Sequence, residues 1–207
     1  YPISGGSPDV KEALVKKLKI SNNIEVSEKN VVVTCGGQDA INLVFELFRN
    51  QKAASFSPIW SAIVNNLAPY SNIEFKEVLL NEDGSINFDE LKKTLKEVNL
   101  FYLNSPSNPT GRVFSREELL RIGELCKENE VAIISDEAYE RIVYDGKHVS
   151  IASLPELKDY ENIFTAFTFS KTFSMTGFRF GYLVTKNREV ANLLENLQDT
   201  RTAGVPT

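Results

Sequence analysis

The sequence predicts an α/β fold in which a mostly parallel sheet is covered by helices on both faces. Short runs rich in β-branched and aromatic residues alternate with segments of helical periodicity almost to the end of the 207 residues, which is typical of repeated βαβ units. An apolar content of 42% can supply the core of such a domain. These observations favour a three-layer α/β/α architecture.

The alternation gives the approximate position of each element. Strands are expected near 31–34, 53–57, 73–79, 99–103, 131–135, 163–167 and 180–185. Helices are expected near 8–19, 38–50, 60–68, 87–97, 115–129 and 187–202. Ser115 followed by Glu118 predicts a capping box at the start of the fifth helix, because each side chain can satisfy a free backbone N–H of the first turn. No repeat, low-complexity stretch or linker divides the chain, so we expect one domain over residues 1–207.

Composition bears on partners and compartment. The net charge is −5 and Lys and Glu are evenly mixed, so no basic stripe predicts a nucleic-acid partner. Cys35 and Cys126 show no disulfide pattern, which indicates a reducing compartment. The longest apolar runs are strand-length, and the chain opens at Tyr1 without the charged and apolar regions of a signal peptide. We therefore expect a cytoplasmic protein without a membrane span or a metal site.

Ligands of open α/β sheets bind beyond the carboxyl ends of the strands, so the polar residues that directly follow each predicted strand are the first candidates for a binding site. Gly36, Gly37 and Gln38 follow the first strand and precede a helix, where free backbone N–H groups and the helix dipole suit a phosphate. The same glycines also fit a simple tight turn. Asn108 lies in a proline-rich loop after the fourth strand, which either holds its amide in a fixed pose or is only a structural turn.

Two further strand ends carry charged groups. Asp136 follows the fifth strand, with Tyr139 three positions on, and is either a ligand for a cation or protonated ring nitrogen or a helix N-cap. Lys171 follows the sixth strand among hydroxyl residues and is a candidate amine nucleophile for a carbonyl group, with a surface lysine as the alternative. Arg179 lies eight residues later between two glycines and could bind a phosphate through its guanidinium fork.

Taken in order, these segments resemble the fold-type I, class I/II aminotransferase family, whose cofactor is pyridoxal 5'-phosphate, over the whole chain from Tyr1 to Thr207. The resemblance implies its large domain, with one antiparallel strand in a seven-stranded sheet. It also implies that Lys171 forms the internal aldimine, a Schiff base, with the cofactor, and that Asp136 faces the pyridine nitrogen. By the same resemblance the phosphate contacts are Gly36, Gly37, Gln38, Thr168, Ser170 and Arg179, and the remaining ring contacts are Trp60, Asn108 and Tyr139.

Four single positions carry expectations of their own. Trp60 matches the aromatic residue that stacks on the pyridine ring, although the only tryptophan of a chain could equally be core. Thr168 stands where the family has serine and keeps a hydroxyl for the phosphate. Tyr1 resembles the tyrosine that crosses a two-fold interface to the partner's cofactor phosphate, which implies a homodimer, whereas a terminus without a partner is the alternative. His148 is expected in an exposed loop with no catalytic part.

The resemblance implies a reaction between an α-amino acid and a 2-oxo acid. A carbon-sulfur lyase or synthase and the sensor domain of a transcription regulator use the same scaffold and are the alternatives, whereas a plain nucleotide-binding domain lacks support because no G-x-G-x-x-G or Walker pattern is present. Relative to the family, the chain lacks the extreme N-terminal segment and the C-terminal small domain with its carboxylate-binding arginine. We therefore expect the 207 residues alone not to transaminate.

Overall fold

A single seven-stranded sheet organises the computed structural model, which describes residues 5–202 and 205. The strands are β1 (Val31–Thr34), β2 (Lys52–Ser57), β3 (Glu74–Leu79), β4 (Leu100–Asn104), β5 (Ala132–Asp136), β6 (Ile163–Thr168) and β7 (Gly181–Thr185). Their spatial order is β1-β7-β6-β5-β4-β2-β3, and β7 is antiparallel to both of its neighbours while the other pairs are parallel. The predicted fold class is thereby confirmed.

The helices lie close to their predicted positions, with differences at some ends. They are α1 (Pro8–Lys17), α2 (Gly37–Leu47), α3 (Ala68–Tyr70), α4 (Phe88–Leu95), α5 (Arg116–Glu128), α6 (Phe169–Thr172) and α7 (Arg188–Thr202). The first helix continues as a π-helical turn and ends at Asn23, whose φ of 55° is left-handed. The predicted helix 60–68 is largely a π-helix over Ile63–Leu67 that leads into α3. Within the described residues, none of the helices combines the length and the apolar character needed to cross a membrane.

Local hydrogen bonds explain where two helices begin. At α5 the Glu118 N–H donates to the Ser115 hydroxyl oxygen at 3.2 Å, and the Ser115 N–H donates to a Glu118 carboxylate oxygen at 2.9 Å. The predicted capping box is therefore confirmed. At α4 the Asn87 side chain accepts from the Glu90 N–H at 3.0 Å. Helix α6 was not predicted, because four residues are too few to show helical periodicity.

Two helical layers cover the sheet and complete the α/β/α architecture. Helices α2, α3 and α7 pack on one face through apolar residues such as Ile41, Ala68 and Leu194. Helices α1, α4 and α5 pack on the other face. Strands β4 and β5 are buried along their whole lengths, which explains why their sequences are almost continuously apolar. Cys35 and Cys126 are both free, as predicted.

Strand direction determines which residues meet at one edge of the sheet. The carboxyl ends of β1, β4, β5 and β6 point the same way, so the segments that follow them converge. Because β7 runs in the opposite direction, its amino end lies at that same edge, and Arg179 precedes it by two residues. Residues that are distant in sequence are thereby brought around one opening.

Candidate active site

A cavity of about 210 Å³ opens at this edge of the sheet. Nearly all the residues selected from the sequence line it, and Gly36 directly precedes the first lining residue of α2. Tyr1 lies outside the described residues. The selected residues that line the cavity are Gly37, Gln38, Trp60, Asn108, Asp136, Tyr139, Thr168, Ser170, Lys171 and Arg179.

A glycine turn, a helix N-terminus and Arg179 lie together at one end of the cavity, and such groups suit an anion. Gly36 has φ 90° and ψ 169°, a conformation that is essentially restricted to glycine, and it leads into the N-terminus of α2. Arg179 reaches this turn and donates to the Cys35 carbonyl at 3.3 Å and to the Thr176 carbonyl at 3.1 Å. A Cβ on Gly36 would lie 2.6 Å from an Arg179 guanidinium nitrogen. The missing side chain is therefore what lets the cation approach the turn.

Two hydroxyl residues, at the end of β6 and in α6, line the same cavity as the glycine turn and Arg179. These groups together are called the anion cradle. Thr168 and Ser170 are both buried, and the Ser170 N–H donates to the Thr168 hydroxyl oxygen at 3.3 Å, which caps the short helix. Lys171 follows on the exposed side, with its amine 5.7 Å from the centre of the Tyr139 ring. The amine thus stands at the mouth of the cavity, within reach of a carbonyl group held there.

Asp136 provides a buried carboxylate in the cavity wall. Tyr102 donates its hydroxyl to one oxygen at 2.6 Å, and the Ala138 N–H donates to the other at 3.1 Å. Residues 138–141 form a turn, so Asp136 is not a helix N-cap. Burial raises the pKa of Asp136, whereas the two hydrogen bonds lower it and the charge of Glu137 raises it further, which leaves the pKa above its ordinary value.

Asn104 connects the carboxylate to the proline-rich loop. Its amide nitrogen donates to the Asp136 carbonyl at 3.0 Å, and its amide oxygen accepts from the Asn108 N–H at 2.6 Å. This last residue of β4 fixes where Asn108 enters the cavity, so the loop is more than a simple turn. Sequence reasoning did not select Asn104, although its position at a strand end was a usable signal. The other lining residues that it missed are Ile41, Ala138 and Thr176.

The position of Trp60 is compatible with both interpretations of a lone tryptophan. It packs against the apolar core that α2 forms with the sheet, and it also lines the cavity. The indole is half-buried, which leaves part of its surface free for a planar ligand. Ile41 lies one turn into α2 and adds an apolar contact on the cavity wall.

His148 is buried, so the expected exposure of this residue was wrong. Its side chain is only 6% exposed, and its Nε2 lies 2.8 Å from a Glu137 carboxylate oxygen. Glu137 also accepts hydrogen bonds from Ser135 and Ser150, at 3.1 and 2.6 Å. The loop folds back because a buried carboxylate needs partners. His148 does not line the cavity of the site.

Fold and site together define a class of protein. An anion cradle, an amine and a buried carboxylate surround one cavity beyond the strand ends of an α/β sheet, an arrangement that suits a phosphorylated carbonyl ligand. The positions of these groups are established, and their roles toward a cofactor stay predictions.

Comparison with known proteins gives the family. The sequence model of aminotransferase class I and II matches residues 1–205. The probable aspartate/prephenate aminotransferase of Aquifex aeolicus is 34% identical over 213 residues, covering 100% of this chain and 53% of the relative. The aspartate aminotransferase of Bacillus subtilis is 33% identical over 210 residues, covering 98% and 52%. A solved double mutant of Thermus thermophilus aspartate aminotransferase superposes with a TM-score of 0.92 at 26% identity, covering 100% and 54%.

The chain belongs to the class I and II aminotransferases, a family of fold-type I pyridoxal-phosphate enzymes. It spans about half the length of the curated relatives that it matches. The family predicted from the strand-end residues is therefore confirmed.

Proposed function

We propose that the protein is a pyridoxal-phosphate-dependent aminotransferase that moves an amino group between an α-amino acid and a 2-oxo acid. The observation that carries this proposal is the shared cavity of Lys171, Asp136 and the anion cradle around Arg179. The relatives named above are all aminotransferases, which favours a transferase over a carbon-sulfur lyase or synthase and over a sensor domain. All three names state aspartate, but this chain spans only about half of the relatives' length, so the proposal covers the α-amino group and not the side chain.

The residues present fit the cofactor at each of its ends. The glycine turn, the hydroxyls of Thr168 and Ser170 and the guanidinium of Arg179 suit a phosphate. At the buried end, Asp136 forms no ion pair with any cationic side chain in the part of the chain that the structure describes. A protonated ring nitrogen would supply the missing opposite charge and offset the cost of burial.

Bound in this cavity, pyridoxal phosphate would supply an aldehyde that condenses with amines and a ring that withdraws electrons from the substrate α-carbon. Lys171 would hold the cofactor covalently through its amine and, once displaced by the substrate, would move the α-proton as a base. Asp136 would hold a proton on the ring nitrogen. Asn108 and Tyr139 would donate hydrogen bonds to the phenolic oxygen, and Trp60 would cover one face of the ring.

Borohydride trapping in the full-length protein tests this assignment. With pyridoxal phosphate bound, reduction should attach the cofactor to the peptide that contains Lys171. Lys171→Ala should abolish turnover but keep part of the binding through the phosphate contacts, whereas Lys92→Ala, at an exposed position of α4, should behave like wild type. A label on another lysine would refute the role of Lys171. Formation of 2-oxo acid and pyridoxamine phosphate supports the transferase, and release of ammonia or thiol supports the lyase.

We also propose that the working unit is a cytoplasmic homodimer. The likeness of the segment at Tyr1 to the family's interface segment supports the dimer, and so do the exposed rings of Phe173 and Phe178, which are 50% and 69% accessible beside the site. Tyr1→Phe should weaken retention of the cofactor in the dimer. A fully active monomer in sedimentation measurements would overturn this proposal.

A further inference from the structure

Tyr102 of strand β4, which pairs with β5, donates a hydrogen bond to the carboxylate of Asp136. Tyr102 of β4 pairs with Ile134 of β5, so Asp136 is its diagonal neighbour two residues further along the same face of the sheet. The Tyr102 hydroxyl reaches an Asp136 oxygen at 2.6 Å, and Tyr102 is fully buried. None of the predicted roles used this residue, which the sequence shows only as part of an apolar strand.

The two hydrogen bonds to Asp136 fix its orientation. One carboxylate oxygen accepts from the Tyr102 hydroxyl of β4, and the other accepts from the Ala138 N–H of the turn after β5. With both oxygens held from different segments, the carboxylate plane cannot rotate freely about the Cβ–Cγ bond. Its remaining lone pairs stay available toward the cavity that Asp136 lines.

The hydrogen bond from Tyr102 also affects whether Asp136 is ionised. Burial and the neighbouring Asp136 charge raise the pKa of Tyr102 well above its ordinary value, so the hydroxyl stays protonated and donates. Burial also raises the pKa of Asp136 and favours its neutral form, and the donated hydrogen bond opposes this. The other groups that face the pair are Glu137, whose charge raises the pKa of Asp136, and Tyr139, with the Lys171 amine beyond it.

We propose that Tyr102 is a positioning residue whose hydroxyl keeps Asp136 ionised and aimed at the ring nitrogen of the cofactor. This inference rests on the proposed function and adds to it a residue that does not line the cavity. Without the hydroxyl, the shared proton would shift from the ring nitrogen toward the carboxylate, and the ring would withdraw electrons less effectively.

The first test follows Asp136 itself in the full-length protein without cofactor. A pH titration of γ-¹³C-labelled aspartate, assigned with Asp136→Asn, should show a pKa for Asp136 that is about one unit higher in Tyr102→Phe than in wild type. Tyr182→Phe is the matched control, because Tyr182 is also buried and its hydroxyl has no hydrogen-bond partner among the described residues. An equal titration in wild type and Tyr102→Phe, or an equal shift in the control, would overturn the proposal.

A fluorinated tyrosine tests the same hydrogen bond in the opposite direction. Incorporation of 3-fluorotyrosine at position 102 keeps the shape and makes the hydroxyl a stronger donor, so the pKa of Asp136 should fall. This variant keeps the proposal testable if Tyr102→Phe does not fold. A rise or no change would count against it.

The final test uses the cofactor-loaded protein. In Tyr102→Phe the ¹⁵N chemical shift of the cofactor ring nitrogen should move toward the unprotonated value, and kcat should fall on the order of tenfold with KM for the amino acid nearly unchanged. If borohydride labels Lys171 but the ring-nitrogen shift equals that of wild type, the inference fails and the proposed function stands. If no cofactor binds at Lys171, the proposed function fails, and the cofactor-free titration still decides whether Tyr102 controls Asp136.

Discussion

Gly36→Ala tests whether the glycine turn at the start of α2 is needed to hold an anion. The native residue has φ 90° and ψ 169°, and an added Cβ would lie 2.6 Å from a guanidinium nitrogen of Arg179. The nitrogen is the far end of a flexible side chain, so the clash is relieved by moving Arg179 and not the backbone. We expect Arg179 to lose its hydrogen bonds to the Cys35 and Thr176 carbonyls.

We expect Gly36→Ala to lower both the folding free energy and the affinity for the cofactor. An L-residue in this region of backbone conformation costs about 1–3 kcal/mol of folding free energy. A displaced Arg179 also removes a charge-assisted hydrogen bond to the phosphate, which is worth about 1.5–3 kcal/mol. The loss of this hydrogen bond corresponds to a cofactor affinity lower by roughly one to two orders of magnitude.

Fluorescence titration of cofactor-free full-length protein with pyridoxal phosphate measures the affinity, and urea unfolding measures the stability. Gly84→Ala serves as the control, since Gly84 also has a positive φ, 80°, but nothing lies within 4 Å of an added Cβ. Both variants should lose stability, and only Gly36→Ala should lose affinity. Equal affinities in the two variants would refute the role of the turn.

Three further changes have defined outcomes. Burial lowers the pKa of His148, but the charge and hydrogen bond of Glu137 raise it by more, to above its ordinary 6.5. The contribution of His148 to stability should therefore be complete below pH 6.5 and be lost as the pH rises through the raised pKa, a slope that urea unfolding should show in wild type and not in His148→Gln. Ser115→Ala removes the cap of α5 and should lower the free energy of unfolding by about 1 kcal/mol, whereas an unchanged urea midpoint would contradict this. The 207 residues alone should not transaminate at a useful rate, because no group that orients the substrate carboxylate is expected among them; rates equal to those of the full-length protein would assign that task to an arginine such as Arg141.

Most of the elements could be predicted from the sequence because periodicity and caps are local properties. The strand 31–34 and the capping box of Ser115 depend on neighbours a few residues away, and both match the structure. The short helix α6 and the π-helix over Ile63–Leu67 could not be predicted in this way. Their hydrogen bonds depend on how the chain packs against the sheet, which no local pattern encodes.

The residues of the candidate site could be predicted where they directly follow a strand. Asp136 and Lys171 follow buried strands directly, and parallel strands bring such residues to one edge. His148 was misjudged, because the loop after residue 145 looks polar and its burial against Glu137 depends on a contact eleven residues away. Asn104 was not selected, because its hydrogen bond to the Asp136 carbonyl exists only once β4 and β5 pair.

The sequence by itself determined the alternating elements, the family and the chemical groups available for a site. Only the tertiary structure decided how those groups face each other. Whether Arg179 joins the cradle depends on the antiparallel course of β7, which brings the amino end of that strand to the edge where the other strands end. The hydrogen bond from Tyr102 to Asp136 depends on the register of β4 against β5. If the pairing shifted by one residue, the Tyr102 hydroxyl would lie on the opposite face of the sheet.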